Sequence, residues 1–367
     1  MKIERVEVRH LAIPFKHHFT TSFGRTTEHH TIILKAWSEG LVGYGETTPF
    51  YGPVYCSETV DSVYLMLRDH ILPQVVGKDF ADAGELMAAL DWIRGNQFAK
   101  SAIEVALWNL LAQAAGQPLH TYLGGVMDEV PIGVSIGIQD SVPELLDRIQ
   151  QFLDEGYARI KIKIQPGWDV DVTRAVRERF PDITLMVDGN SAYTLRDVEH
   201  LKQLDQFDLL MIEQPLAWHD VIDHAKVQAA MQTPVCLDES IHTLDDARHA
   251  IELGSCRIIN IKPGRVGGYL NSKKIHDLCQ KHGIANWVGC MLETGIGQMS
   301  KIELASLPNF TLPADMAPSN RYYVEDIVEP PIELTPRSTI PVSNEVGGSY
   351  RPIQEKIERY TVKRFSA

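Results

Sequence analysis

Three acidic residues stand at positions 188, 213 and 238, a constant step of 25 residues. Each closes a short apolar run: Ile-Thr-Leu-Met-Val before Asp188, Leu-Leu-Met-Ile before Glu213 and Pro-Val-Cys-Leu before Asp238. A strand with its crossover helix occupies about that length, so the three carboxylates are expected to top consecutive parallel strands, adjacent in space though distant in sequence. Hard oxygen donors converging in this way describe a pocket for Mg²⁺, which Mn²⁺ could also fill.

Cationic residues frame these carboxylates. In the run Arg159-Ile-Lys161-Ile-Lys163-Ile164, strand alternation puts both lysines on one face and the isoleucines on the other. An isolated Lys-x-Lys reads as a surface strand, but in a barrel strand buried on both faces two lysines need a chemical reason. Lys262 ends a second β-branched run, Arg257-Ile-Ile-Asn-Ile-Lys262. If these runs are the second and sixth strands of an eight-membered ring, Lys163 and Lys262 face each other across its mouth. A buried lysine beside other cations has a lowered pKa, and its neutral form is a base near physiological pH. A metal-bound substrate carboxylate, with Lys161 donating to it, would stabilise the enediolate formed when one lysine removes the α-proton.

Positioning these groups calls for two kinds of structure. Lys2–Pro14, Thr31–Trp37 and Leu41–Glu46 alternate like antiparallel strands, and helical patterns follow over Ser57–Ile71, Asp82–Arg94 and Ala99–Ala115. This part is predicted to be an α+β capping domain over residues 1–125, completed by 322–367. From Pro131 strands and helices alternate, with strands predicted near 131–137, 159–164, 183–188, 209–213, 234–238, 257–262, 284–288 and 309–312. The expected class is α/β: a TIM-like (β/α)7β barrel over residues 126–321, with its reacting groups at the C-terminal strand ends. An open doubly wound sheet is the alternative, but no Gly-x-Gly-x-x-Gly follows a strand.

Composition narrows the partners. With 367 residues there is room for a barrel and a cap, and no run approaches the roughly 20 apolar residues needed to span a bilayer. A formal charge of −13 repels nucleic acid and anionic membranes, leaving a small carboxylate held by local cations as the expected partner. Five cysteines without paired spacing and an N-terminus without a signal peptide's apolar core predict free thiols in the cytoplasm. His17-His18 and His29-His30 read as exposed or loop histidines rather than metal ligands.

Taken together, Lys161-x-Lys163, Asp188-Gly-Asn190, Glu213-Gln-Pro215, Asp238-Glu239-Ser240 and Lys262-Pro-Gly resemble the enolase superfamily, in its muconate-lactonising-type subgroup. Segments Pro14–Gly24, Lys262–Gly268, Met291–Gly297 and Ala305–Pro313 look like the o-succinylbenzoate synthase / N-succinylamino acid racemase family. The resemblance implies Asp188, Glu213 and Asp238 as metal ligands, Lys163 and Lys262 as the acid/base pair, Lys161 as a helper at the substrate carboxylate, and a homo-oligomer. It also implies a substrate-covering loop bearing Phe19 and Phe23, with Met291 beside it. Ser135 and Asn190 are candidate substrate contacts, each equally readable as a turn residue, while Glu239 and Arg265 are expected to support the ligands from behind. Cys290 stands where the family usually has glycine, and His17-His18 where it has a proline-containing loop. Dipeptide epimerase, muconate cycloisomerase and a non-catalytic metal-binding protein are the rival readings. Against the first, the segment around Asp315 carries a single carboxylate where those relatives have two.

Overall fold

The computed structural model describes residues 1–21 and 24–367. The chain opens with three antiparallel strands, β1 (Arg5–Thr21), β2 (Gly24–Ser38) and β3 (Leu41–Thr47), and the C-terminal strand Thr361–Ser366 pairs with the free side of β1. Alternation buries Val6, Val8, Ile32, Leu34 and Ala36 against the helix Gln97–Ala114. That helix lies close to β3 because Gly43 and Gly45 have no side chain; a Cβ at either would collide with the carbonyls of Ala106 or Ala102. The expected helix over 57–71 begins at Val60, where Thr59 and Ser62 form a reciprocal cap, and the one over 82–94 is shortened to Ala83–Ala89 behind its Asp82 cap.

The predicted strand over 131–137 is two pieces. β4 (Glu129–Pro131) pairs antiparallel with Thr339–Pro341, while β5 (Val134–Ile136) begins the large sheet. The break falls at Gly133, where any side chain would overlap the Arg159 guanidinium. The large sheet is parallel and runs in sequence order through β6 (Arg159–Lys163), β7 (Thr184–Asp188), β8 (Ile212–Glu213), β9 (Val235–Leu237), β10 (Ile258–Ile261) and β11 (Ala285–Val288). Residues 309–312 make no eighth strand. Phe310 bridges Asn286 and Ala314 bridges Ile132, each in parallel sense, and Pro308 and Pro313 supply no N–H to extend a ladder.

Both faces of this mixed α/β fold's parallel sheet are buried, which is why its strands read as continuous apolar runs. Ile160, Ile162, Leu185, Val187, Ile212, Val235, Leu237, Ile259 and Ile261 join the core formed with the crossover helices, such as Val142–Asp154 and Tyr269–His282. Met186, Met211, Cys236, Ile258 and Trp287 form a separate inner cluster. Two residues beyond Met186, Met211 and Cys236 on the same face come Asp188, Glu213 and Asp238, so period-2 geometry carries the inner face up to the carboxylates. Among the described residues no helix is long and apolar enough to cross a membrane.

Candidate active site

The strand ends bring the sequence-predicted residues together. Lys161, Lys163, Lys262, Ser135, Asn190, Phe19 and Met291 line one cavity with Tyr55, Cys290, Asp315 and Tyr322. Asp188, Glu213, Asp238 and Glu239 are at most 1% exposed beneath it.

Lys163 Nζ donates to Asp188 Oδ2 and to Asn190 Oδ1, both at 2.6 Å. Asn190 has φ of 40°, a left-handed conformation that asparagine tolerates, and its backbone N–H returns to Asp188 Oδ1 at 2.9 Å. Its amide also donates to Glu239 Oε1 at 3.0 Å, which puts Glu239 behind Asn190. Lys161 Nζ meets Glu213 at 2.5 Å, Asp188 at 2.9 Å and Asp315 at 3.1 Å, and Arg159 clamps the other oxygen of Asp315 at 2.6 Å. Lys262 Nζ meets Asp238 Oδ2 at 2.8 Å, while Arg265 and the Tyr55 hydroxyl take Oδ1. Gln214, at φ of 34°, accepts the Asp238 N–H at 2.9 Å and donates to Ser240 Oγ at 2.6 Å, so the residue after Glu213 orients the next carboxylate.

Electrostatics separate the three lysines. Burial pushes the Lys163 ammonium down, and although Asp188 opposes this, the neighbouring Lys161 charge adds to it and the net shift is downward. For Lys161 the same burial is outweighed by Asp188, Asp315 and Glu213, which hold it well above the usual lysine range. Lys262 departs from the expectation that both facing lysines are depressed. Burial lowers it, but Tyr55, Glu239 and Glu213 outweigh that and its pKa is raised. Asp188 is lowered because Lys161 and Lys163 overcome its burial, whereas burial and the adjacent Asp188 raise Glu213. Burial, with Asp188 and Glu213 nearby, pushes Glu239 up to about 7.

Among the described residues no three His, Cys, Asp or Glu side chains already stand as a ligand set; lysine ammoniums are inserted among the carboxylates. The donor chemistry nevertheless fits a small divalent cation. Glu213 Oε2 makes no hydrogen bond and meets only the Lys161 charge, and the buried Glu239 Oε2 has no hydrogen-bond partner. A neutral Lys163 would further leave the carboxylates in excess, a charge that Mg²⁺ balances.

Three features escaped the sequence. Tyr55 enters from the segment between β3 and the helix Val60–Met66 and touches Asp238, Lys262 and Arg265. Asp315, read only as a lone carboxylate, is the anchor of Lys161. Of the histidine pairs, His17-His18 is exposed as expected, though on β1, whereas His29 on β2 is 5% exposed, packed on Phe15 and Tyr323, with burial lowering its pKa to about 3. His10 was not singled out, yet its ring bonds that of His30 at 2.8 Å. Phe19 meets Tyr322 edge-on, and Phe23 lies outside the described residues.

Residues 144–352 match the family described as enolase C-terminal domain-like, and residues 3–124 match the mandelate racemase / muconate lactonizing enzyme N-terminal domain. The chain belongs to this branch of the enolase superfamily. Within it, the chain is 48% identical over 362 residues to the o-succinylbenzoate synthase of Geobacillus stearothermophilus, covering 98% of this chain and 96% of that one. It is 45% identical over 362 residues to the N-succinylamino acid racemase of Thermus thermophilus, covering 99% and 98% respectively. Its fold superposes on the crystal structure of an enolase-superfamily member from Listeria innocua with a TM-score of 0.96, at 37% identity and covering 100% and 99% of the two chains.

Proposed function

We propose that this chain removes the proton α to a substrate carboxylate through an enediolate, acting as an o-succinylbenzoate synthase, an N-succinylamino acid racemase, or both. The observation that carries the reading is the placement of two buried lysines, Lys163 and Lys262, four strands apart in one parallel sheet yet lining one cavity above three buried carboxylates. We read the sheet, with the bridges at Phe310 and Ala314, as a (β/α)7β barrel under a cap formed by residues 1–125 and 322–367.

Asp188, Glu213 and Asp238 would hold Mg²⁺ or Mn²⁺, which when bound supplies positive charge where the substrate carboxylate becomes doubly negative. Lys161, kept protonated by its three carboxylates, donates to that same substrate group. Lys163, depressed by burial, is the lysine able to accept the α-proton, and Lys262, held protonated, is the acid on the other face. Racemisation follows when the enediolate takes a proton from Lys262. Dehydration follows when it expels a β-hydroxyl instead, which leaves as water with the proton that Lys163 had accepted. In the reverse racemisation the two lysines exchange roles.

The substrate class is a dicarboxylate with a succinyl arm directed toward Phe19 and Met291. A free-amine dipeptide is disfavoured because Asp315, the carboxylate expected to meet its ammonium, is already held by Arg159 and Lys161. Turnover of the o-succinylbenzoate precursor and of N-succinyl amino acids should be compared with that of L-Ala-L-Glu-type dipeptides, with and without chelator. Succinyl substrates should turn over and chelator should stop them. Dipeptide epimerisation with neither succinyl substrate consumed, or full activity in excess chelator, overturns the reading.

A further inference from the structure

We infer that Tyr55, a cap residue, is a positioning residue for one face of the reaction only: its hydroxyl fixes the ammonium of Lys262 and leaves Lys163 to the barrel's own partners. The inference rests on the proposed roles of the two lysines. Tyr55 lies between β3 and the helix Val60–Met66, is 4% exposed, and reaches across to the strand ends. Its hydroxyl donates to Asp238 Oδ1 at 3.0 Å and accepts from Arg265 Nη1 at 3.0 Å and from Lys262 Nζ at 3.3 Å. The Lys262 Nζ also lies 4.8 Å from the centre of the Tyr55 ring, within cation–π range. One side chain thus limits both the direction and the reach of the Lys262 ammonium. A flexible four-carbon stem needs such limits if it is to meet a proton at one point on the substrate. The described partners of Lys163, Asp188 and Asn190, come instead from the end of β7.

The geometry distinguishes Tyr55 from a residue that merely packs the cap. Loss of general packing would slow both faces together. Loss of the hydroxyl should slow the face served by Lys262 and spare the other. Tyr55→Phe keeps the ring and its packing and removes the three polar contacts.

The test uses the metal-loaded full-length enzyme with N-succinyl-D- and N-succinyl-L-amino acid in deuterated buffer, following loss of the α-proton from each by NMR. Lys262→Ala identifies which enantiomer that lysine serves. Tyr55→Phe should then slow exchange of that enantiomer roughly 10- to 100-fold, as expected for losing a hydrogen bond to a charged group, and the other enantiomer by less than about threefold. The ratio of the two rates in one preparation does not depend on the folded fraction, and Tyr55→His, which restores a polar ring atom, should recover part of it. Equal slowing of both enantiomers by Tyr55→Phe, or slowing of neither, overturns the role of Tyr55 while the proposed function stands. Absence of exchange of either enantiomer by the unmodified enzyme overturns both.

Discussion

Lys163 and Lys262 line the same cavity, yet they are built into the molecule differently. Lys163 is the last residue of β6 and is gripped by Asp188 and Asn190, one strand over. Lys262 caps the short helix that follows β10 and is gripped by Asp238 and by Tyr55 from the N-terminal α+β part, and Arg265, one turn ahead, holds both of those partners. The first is depressed by burial, the second is raised by the groups around it. The proposed chemistry, nearly symmetric between two faces, is therefore housed asymmetrically, with the parallel sheet's strand ends supplying the partners of Lys163 and the strand ends plus Tyr55 supplying those of Lys262.

The sharpest way to break this comparison is to remove each lysine in turn. Lys163→Ala and Lys262→Ala should each lower racemisation by at least about 1,000-fold, because inversion requires an acid and a base on opposite faces. Each variant should retain deuterium exchange at one enantiomer, and the two should retain opposite ones. If both variants exchange both enantiomers at the unmodified rate, the lysines are not a facing pair.

The next effect concerns how the N-terminal α+β part is fixed to the residues around the parallel sheet, since Tyr55 can act only if that part stays in place. Glu46, at the end of β3, accepts from Thr31 Oγ1 at 3.0 Å, from the backbone N–H of Thr294 at 3.0 Å and Gly297 at 2.7 Å, and from Thr294 Oγ1 at 2.6 Å. A side chain of the N-terminal sheet thereby closes the N-terminus of the helix Gly295–Ala305. Glu46→Ala should destabilise the protein by about 2–4 kcal/mol, read from the urea midpoint, because four buried donors lose their acceptor. An unchanged midpoint would remove Glu46 from any role in docking.

The same carboxylate predicts a pH effect of definite sign. Burial, countered only in part by its hydrogen bonds from Thr294, pushes Glu46 up to about 8, while an unfolded glutamate titrates near ~4.3. Between those values the folded state holds a proton that the unfolded state has lost, so this group's contribution falls as pH rises from about 4 toward 8. Glu104, which closes the helix Tyr269–His282 through the Tyr269 and Leu270 N–H groups, is raised to about 7 by burial and acts in the same direction. Stability measured at pH 5 and pH 9 should decline, and Glu46→Gln should flatten that decline. A variant whose stability falls as steeply as the parent's contradicts the assignment.

The parts of this arrangement legible in the sequence are those governed by short periods. Strand alternation places Met186 and Asp188, Met211 and Glu213, Cys236 and Asp238 on one face, so the step of 25 could be read without a structure. The fate of residues 309–312 could not, because the prolines at 308 and 313 deny them a ladder and leave isolated bridges. Tyr55 was hidden for another reason: it lies in an irregular N-terminal segment 183 residues from Asp238, and no local pattern encodes that contact. His29 was misread because a polar pair on a strand need not be exposed when its face packs on Phe15 and Tyr323. Lys262 shows the limit of arguing pKa from like charges alone, since the groups that raise it, Tyr55, Glu239 and Glu213, come from three separate segments of chain.

Cys290 provides the smallest test, because it borders the cavity without joining either lysine. Its thiol donates to Glu293 Oε2 at 3.3 Å and accepts from the Leu292 N–H at 3.0 Å, holding a turn in which Leu292 has φ of 63°. Leucine enters that left-handed region at a cost, so the turn depends on such contacts, and it carries Met291 and Leu292 into the cavity wall. The same turn is held independently by the Met291 N–H to Glu293 at 2.8 Å and by the ion pair of Glu293 with Lys301 at 2.6 Å. Removing the thiol should therefore loosen the wall rather than dismantle it. Cys290→Gly is expected to raise KM for a succinyl substrate roughly three- to tenfold, the equivalent of one weak hydrogen bond, with kcat changed less. The ratio of exchange rates for the two enantiomers should stay as in the parent, since neither Asp188 and Asn190 nor Tyr55 and Asp238 depend on the thiol. A shift in that ratio comparable to the one expected for Tyr55→Phe would mean that the 290–294 turn also sets the lysines, and the division between a face built from strand ends alone and one assisted by Tyr55 would no longer hold.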